Sequence, residues 1–302
     1  MILLTVLFAA LIGVLAGGIV NILADDLPLR RSPRLPRFVP DEKKSAIHKF
    51  YETEEDLAQA ERFIQSDDEP RPLPAWLGLS AFALGKRTSS DGTVTLNWRY
   101  PLTELLTVIL MVLTILTVGN EPDVSALQLV FWLAFMAIFA LITVIDIEHK
   151  LILFVVIIPS CALAILDAVL TPTNHGPHLR DALIGGALGF GVFVTMYLGG
   201  FLFTFVIGMM RGEKITEVAF GYGDVMMATL SGLILGWQAL IFAMFITVFL
   251  GAFGAFIYLI SRSISGGKYS AFTALPYGPY IVAGTIILML FGEEVGKILG
   301  AS

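Results

Sequence analysis

Two aspartates stand where a carboxylate is costly to keep. Asp146 closes an apolar run in Val144-Ile145-Asp146-Ile147-Glu148-His149-Lys150, and Asp224 opens another in Gly221-Tyr222-Gly223-Asp224, 78 residues further along. Ionisable groups in or at the ends of membrane-grade runs are rare, and they are functional by default. Glu104, at the start of a third run, and Asp167, inside a fourth, belong to the same class. Two carboxylates brought to one depth can share a proton, because like charges a few ångströms apart resist ionising together. One then stays neutral as a general acid while the other activates water, and the pair titrates as a pair. Hydrolysis of an amide needs that division of labour. Gly221 and Gly223 would let an extended peptide or a partner helix come close to Asp224. Read alone, Gly-x-Gly-Asp is more often a turn with an Asp cap on a helix start than a catalyst; a second carboxylate on the same side of the membrane reverses that and favours chemistry. The competing use of Asp146, Asp224 and Glu104 is the ion or proton pathway of a transporter, for which convincing inverted repeats are lacking.

The elements that must carry these groups are membrane helices. Of 302 residues 56% are hydrophobic and 15% charged, and the mean hydropathy of +0.82 is that of a chain whose solvent is lipid. Hydropathy predicts an all-α polytopic fold of about eight transmembrane helices, at 2–23, 102–119, 124–146, 151–170, 181–209, 222–236, 237–260 and 276–292. The polar segment 24–100 between the first two is expected to form a small, irregular subdomain. The expected domains are therefore a first helix at 1–23, a subdomain at 24–100 and a seven-helix core at 101–302. Assigned to alternate sides, 17 of the 19 Lys and Arg fall with the 24–100 segment, and only Arg180 and Lys297 fall opposite. The positive-inside rule then puts the amino terminus outside and the segment, with Asp146, Asp224 and Glu104, at the cytoplasmic face. A cleaved signal peptide fits the first run less well, since it lacks a basic start and dense positive charge follows it.

The rest is less informative. A net charge of −6 argues against a nucleic-acid partner. Cys161 is the only cysteine, so it builds neither a disulfide nor a zinc cluster. His48, His175 and His178 have no cluster around them, and no metal site is expected. His149 either tunes Asp146 or, more in keeping with a helix end, meets terminal carbonyls. The acidic stretches Glu52–Asp56 and Asp67–Glu69 read as solvated faces more readily than as a dock for a basic peptide. Gly185-Gly186-Ala187-Leu188-Gly189 reads as helix packing.

Five strings in order resemble the type IV prepilin peptidase family, a branch of the Gly-x-Gly-Asp intramembrane aspartyl proteases. They are Gly17-Gly18-Ile19-Val20-Asn21-Ile22 with Leu27-Pro28, Trp98-Arg99-Tyr100-Pro101-Leu102-Thr103-Glu104, Ile145-Asp146-Ile147-Glu148-His149, Gly221 to Asp224, and Pro276-Tyr277-Gly278-Pro279-Tyr280. The resemblance implies an aspartic endopeptidase with Asp146 and Asp224 as catalytic residues. It implies Gly221, Gly223, Glu148, Pro276, Gly278 and Pro279 as binding or supporting positions. The implied substrates are type IV prepilin or pseudopilin precursors, cut after a short basic leader at the cytoplasmic (inner) membrane. Many members also methylate the new amino terminus with S-adenosylmethionine, which would involve Arg99, Pro101 and Glu104. The chain departs from the family in having Leu153 and Phe154 where a Pro and an Asn or Asp are usual, and Met226 in place of a Lys. It also lacks the two Cys-x-x-Cys pairs, so no zinc is expected and methylation is left open.

Overall fold

The computed structural model describes residues 2–44, 63–119, 121, 123–171, 176–211, 221–264 and 276–298. Helix dominates because a backbone in lipid has no water to bond and must satisfy itself. In chain order the helices are α1 (Ile2–Asp26), α2 (Gly78–Ala83), α3 (Arg99–Val118), α4 (Ala126–His149), α5 (Phe154–Leu170), α6 (Leu179–Arg211), α7 (Tyr222–Ile264) and α8 (Gly278–Ile298). Two antiparallel strands, β1 (Arg37–Phe38) and β2 (Glu69–Pro70), pair Arg37 with Pro70 and Phe38 with Glu69. Six helices, α1, α3, α4, α6, α7 and α8, are long and apolar enough to cross a membrane, and α5 is a shorter apolar helix. The chain is an all-α polytopic membrane protein.

At 43 residues α7 would run about 64 Å if straight, twice a hydrocarbon core. It is not straight. Gly236 has φ 76° and ψ 170°, outside the helical region. On α8, Thr285 Oγ1 donates to Ser231 Oγ at 2.7 Å, while a Cβ on the adjacent Gly284 would come 2.5 Å from Thr247 Oγ1. Ser231 and Thr247 would lie about 24 Å apart along an unbroken helix. Since both meet consecutive residues of α8, the chain folds back at Gly236. The boundary expected between 222–236 and 237–260 falls on this break, and with α7 so divided the described residues hold eight apolar helical segments.

Other boundaries move by a few residues. α1 continues to Asp26 rather than stopping at 23, because its last two carboxylates are met inside the chain: Asp25 by arginines and Asp26 Oδ2 by the Arg34 amide at 3.0 Å. α3 starts at Arg99 and α4 ends at His149, each by the same means of a paired terminal charge.

The chain divides into two compact units, residues 1–120 with 132–153, and 121–131 with 154–302. In the first, α1 lies on α3 through glycine: a Cβ on Gly13 would stand 2.6 Å from Val108 Cα, and Thr107 Oγ1 donates to Gly13 O at 2.7 Å. Small residues allow such approach, and packing replaces the hydrophobic drive that lipid removes. The described part of segment 24–100 has its own small core of Phe38, Ala75, Ala81, Leu96 and Tyr100. Asp68 is buried in the same segment between Arg31 and Lys43, each at 2.6 Å. Its neighbour Asp67 pairs with Arg34 and Arg37, so this acidic stretch is answered by the segment's own cations. Glu52–Asp56, His48, His175 and Glu213 lie outside the described residues.

In the second unit α6 meets α7 where Gly185 faces Gly232 and Gly189 faces Ala228, backbone to backbone. The small-residue string of α6 is thus a packing seam. Asp167, buried on α5, accepts from Thr171 just past the end of that helix and has a structural partner there.

Gly236→Ala should lower stability by about 1–3 kcal/mol, the cost of a Cβ in a backbone region open essentially to glycine alone. A fall in the detergent melting temperature, against an unchanged value for an Ala at Gly191, where a Cβ would meet nothing within 4 Å, would show it.

Candidate active site

Asp146 lies in the last turn of α4 and is 5% exposed. Its backbone carbonyl accepts the Lys150 N–H at 2.8 Å, and Lys150 has φ 52°. A left-handed residue just past the helix closes its final carbonyls, here at some cost because Lys carries a Cβ. The turn is also held from the side. Arg99 Nη1 donates to Glu148 Oε2 at 2.6 Å, and Arg99 Nη2 to Asp25 Oδ1 at 2.7 Å. His149 is buried beside it, with Nε2 3.8 Å from Glu148 Oε2. Ile147, between the two acidic residues, points outward at 59% exposure.

Asp25 collects more than one cation. Arg71 Nη2 stands 3.3 Å from Oδ2, Lys44 Nζ 3.5 Å from Oδ1, and the Tyr100 hydroxyl donates to Oδ2 at 2.9 Å. Burial alone would lower the proton affinity of Lys44, but the Asp25 carboxylate and Tyr100 outweigh it and hold the amine above an ordinary lysine. The stability it brings is complete below pH 10.5 and fades as pH rises through its higher folded value.

Glu104 also turns out to be part of the frame. Its Oε1 accepts the Gly78 N–H at 2.5 Å and its Oε2 the Leu79 N–H at 2.8 Å, while Asn21 Nδ2 donates to Oε1 at 3.3 Å. One carboxylate from α3 therefore closes the amino end of α2 and holds α1 as well. Pro101, in the first turn of α3, packs its backbone against Gly78, where any Cβ would come within 2.6 Å of the Pro101 nitrogen. Arg99, Pro101 and Glu104, expected as methyltransferase residues, do come together, but the two charges are met by partners within the chain. They do not offer S-adenosylmethionine a ready ion pair.

Asp224 occupies the third position of α7, not the cap. Its Oδ2 accepts the Gly221 N–H at 3.2 Å, and its own N–H donates to Gly221 O at 3.1 Å. This is the returning half of a capping box, and a negative charge in the first turn also suits the helix dipole. Gly223 and Asp224 are half-buried, and Gly221 is exposed. Tyr222 meets Phe154 at 5.9 Å and Tyr197 at 5.7 Å between ring centroids. The Phe that stands where the family usually has a polar residue is thus an aromatic wall of this helix start. Pro276, Gly278 and Pro279 lead into α8, and the intervening Tyr277 lies within electrostatic reach of Asp224. Tyr277 packs on Gly251, and the hydroxyl of Tyr280 packs on Gly254.

The sequence-derived residues thus form two groups. Asp146, Glu148, Arg99, Pro101 and Glu104 belong to the first unit, and Asp224, Gly221, Gly223, Pro276, Gly278 and Pro279 to the second. Asp25 was missed, although an Asp25-Asp26 pair ending an apolar run carries the same signal that singled out Asp146. Among the described residues no group of three or more His, Cys, Asp or Glu could hold a metal.

Removing the Glu104 carboxylate as Glu104→Ala leaves two buried amides without an acceptor, at about 1–3 kcal/mol each. Limited proteolysis should then cut the 63–98 region faster than in wild type, with the α6–α8 fragment unchanged.

A family model described as the type IV leader peptidase family matches residues 133–256, a stretch containing both Asp146 and Asp224. The prepilin leader peptidase/N-methyltransferase of Pseudomonas aeruginosa is 26% identical over 97% of this chain and 92% of its own. Proteins of the same description from Stutzerimonas stutzeri (24% identical, 96% of this chain, 92% of its own) and Bacillus subtilis (28%, 66% and 69%) align as well. No solved structure matches. The family match spans both aspartates and relatives align along nearly the whole chain, so over that length this protein is similar to the type IV leader peptidases.

Proposed function

We propose that this protein is an intramembrane aspartic endopeptidase that removes the short basic leader from type IV prepilin or pseudopilin precursors. The observation that carries the reading is the family match, which spans Asp146 and Asp224 together. The family match gives the transporter alternative no support.

Asp146 and Asp224 are the proposed catalytic pair. With one proton between them, one carboxylate takes a proton from water as that water attacks the scissile carbonyl, and the other gives its proton to the departing amine. Helix ends suit this chemistry. The last turn of α4 and the first turn of α7 place each carboxyl near the rim of an apolar segment, where water can arrive while the low-dielectric flank keeps one acid neutral. Gly221 and Gly223 leave backbone beside Asp224 open to an extended substrate, and Pro276, Gly278 and Pro279 start a helix whose Tyr277 senses the same charge. The orientation follows from the distribution of Lys and Arg: amino terminus outside, segment 24–100 and the active site at the cytoplasmic face of the inner membrane. A basic leader is held there by the anionic surface, and the apolar helix behind it enters the lipid beside the enzyme. Neither zinc nor any other metal has a part in this scheme.

N-methylation, the second activity in the relatives' description, lies outside this proposal, because Arg99 and Glu104 are committed to the frame. The mass of the released product reads that activity in the same assay.

In membranes carrying a precursor with a basic leader, a Gly and an apolar helix, wild type should cut while Asp146→Asn and Asp224→Asn, at equal folded levels, should lose at least about a thousandfold in rate. An Asn keeps size and polarity but cannot titrate. Normal cutting by either variant would show that aspartate to be structural and would end the pair mechanism.

A further inference from the structure

We infer that Asp25 is a positioning residue for the peptidase reaction: through Arg99 and Glu148 it fixes the turn of α4 that presents Asp146. The inference rests on the peptidase reading above and adds to it a residue outside the five strings' expected roles.

The chain of contacts is short and buried. Asp25, Arg99 and Glu148 side chains are 7%, 10% and 19% exposed, so solvent screens these pairs weakly. One guanidinium bridges the two carboxylates, at 2.7 Å to Asp25 and 2.6 Å to Glu148, and a planar fork can hold both only in one orientation. Asp25 is itself fixed by the Tyr100 hydroxyl and by Arg71, and Arg99 Nη2 also reaches Asn21 O at 3.5 Å. The bridge thus ties the end of α1 and the start of α3 to the end of α4. Glu148 is two residues beyond Asp146, inside the same turn, and Lys150 closes that turn by donating to Asp146 O.

Without the tether the turn loses its ion-pair link to α1 and α3, and a helix terminus frays readily. Removing Asp25 also leaves Arg99, Arg71 and Lys44 without the carboxylate they share, and Arg99 keeps only one of the two carboxylates its fork holds. A catalytic group displaced by about 1 Å loses on the order of a hundredfold in rate while the substrate's binding contacts survive. A residue acting in this way should affect kcat and spare KM.

The test combines kinetics with an activity-independent reading. Asp25→Asn should lower kcat for precursor cleavage at least about tenfold with KM within about twofold, and Glu148→Gln should do the same. The double variant should be no slower than the slower single, because both break one bridge. Hydrogen exchange of the Lys150 amide should accelerate in each variant, with α8 amides unchanged. Should Asp25→Asn fail to fold, Arg99→Lys carries the test: it keeps a positive charge for Asp25 but cannot fork to two carboxylates, and the same kcat loss and local exchange are expected. A folded Asp25→Asn or Arg99→Lys with wild-type kcat and wild-type exchange at Lys150 overturns the inference, as does multiplicative loss in the double variant. A wild type that cuts no precursor counts against the peptidase reading instead, and the exchange comparison still decides the tether.

Discussion

A carboxylate buried at the end of a membrane helix has to be answered, and the answer given to Asp25 organises the first half of this protein. Three cations and a hydroxyl converge on it from the polar segment and from α3. Burying charge is expensive, and such a cluster adds little net stability over an apolar one; what it supplies is direction, since breaking one member costs about 3–5 kcal/mol. The cluster therefore fixes where α1, α3 and segment 24–100 meet. Because Arg99 shares its guanidinium with Glu148, it fixes the end of α4 too.

The same economy explains how a polar segment without cysteines holds its shape. A tetrahedral metal site would cross-link an irregular chain outright. Here Asp68 lies between Arg31 and Lys43, and Glu104 bonds two amides at the start of α2, so two buried carboxylates tie the segment to itself and to the membrane helices. Helix α2 has six residues, too few to stand alone. Its orphan amides need an acceptor, and Glu104 of α3 supplies one.

How much could be read from the sequence depended on which physical signal a residue carried. Apolar length is additive along the chain, so the helices and the boundary at 236 were legible from hydropathy, while the backbone that Gly236 adopts there was not. The packing role of Gly185 and Gly189 was legible from their small-residue pattern. The catalytic candidates were visible as carboxylates at the ends of apolar runs. Their surroundings were not. Glu104 was placed with chemistry because an acid at a helix start next to Arg99 has no local partner in sequence; its partners, Gly78, Leu79 and Asn21, lie 25 to 83 residues away. Asp25 was passed over because α1 was ended at 23, and with it went the pairing that lets the helix continue.

The two aspartates themselves sit in unlike frames, and this bears on the chemistry. Asp146 ends a helix, where the dipole is unfavourable to a negative charge, and it is nearly inaccessible. Asp224 begins one, where the dipole favours charge, and its carboxylate already accepts the Gly221 N–H. A pair that shares one proton need not be symmetric. The dipole of the helix it begins favours a charge on Asp224, while that of the helix it ends does not favour one on Asp146. Of the two turns, the one that ends a helix is the one whose neighbour Glu148 is bonded by Arg99 to the rest of its unit.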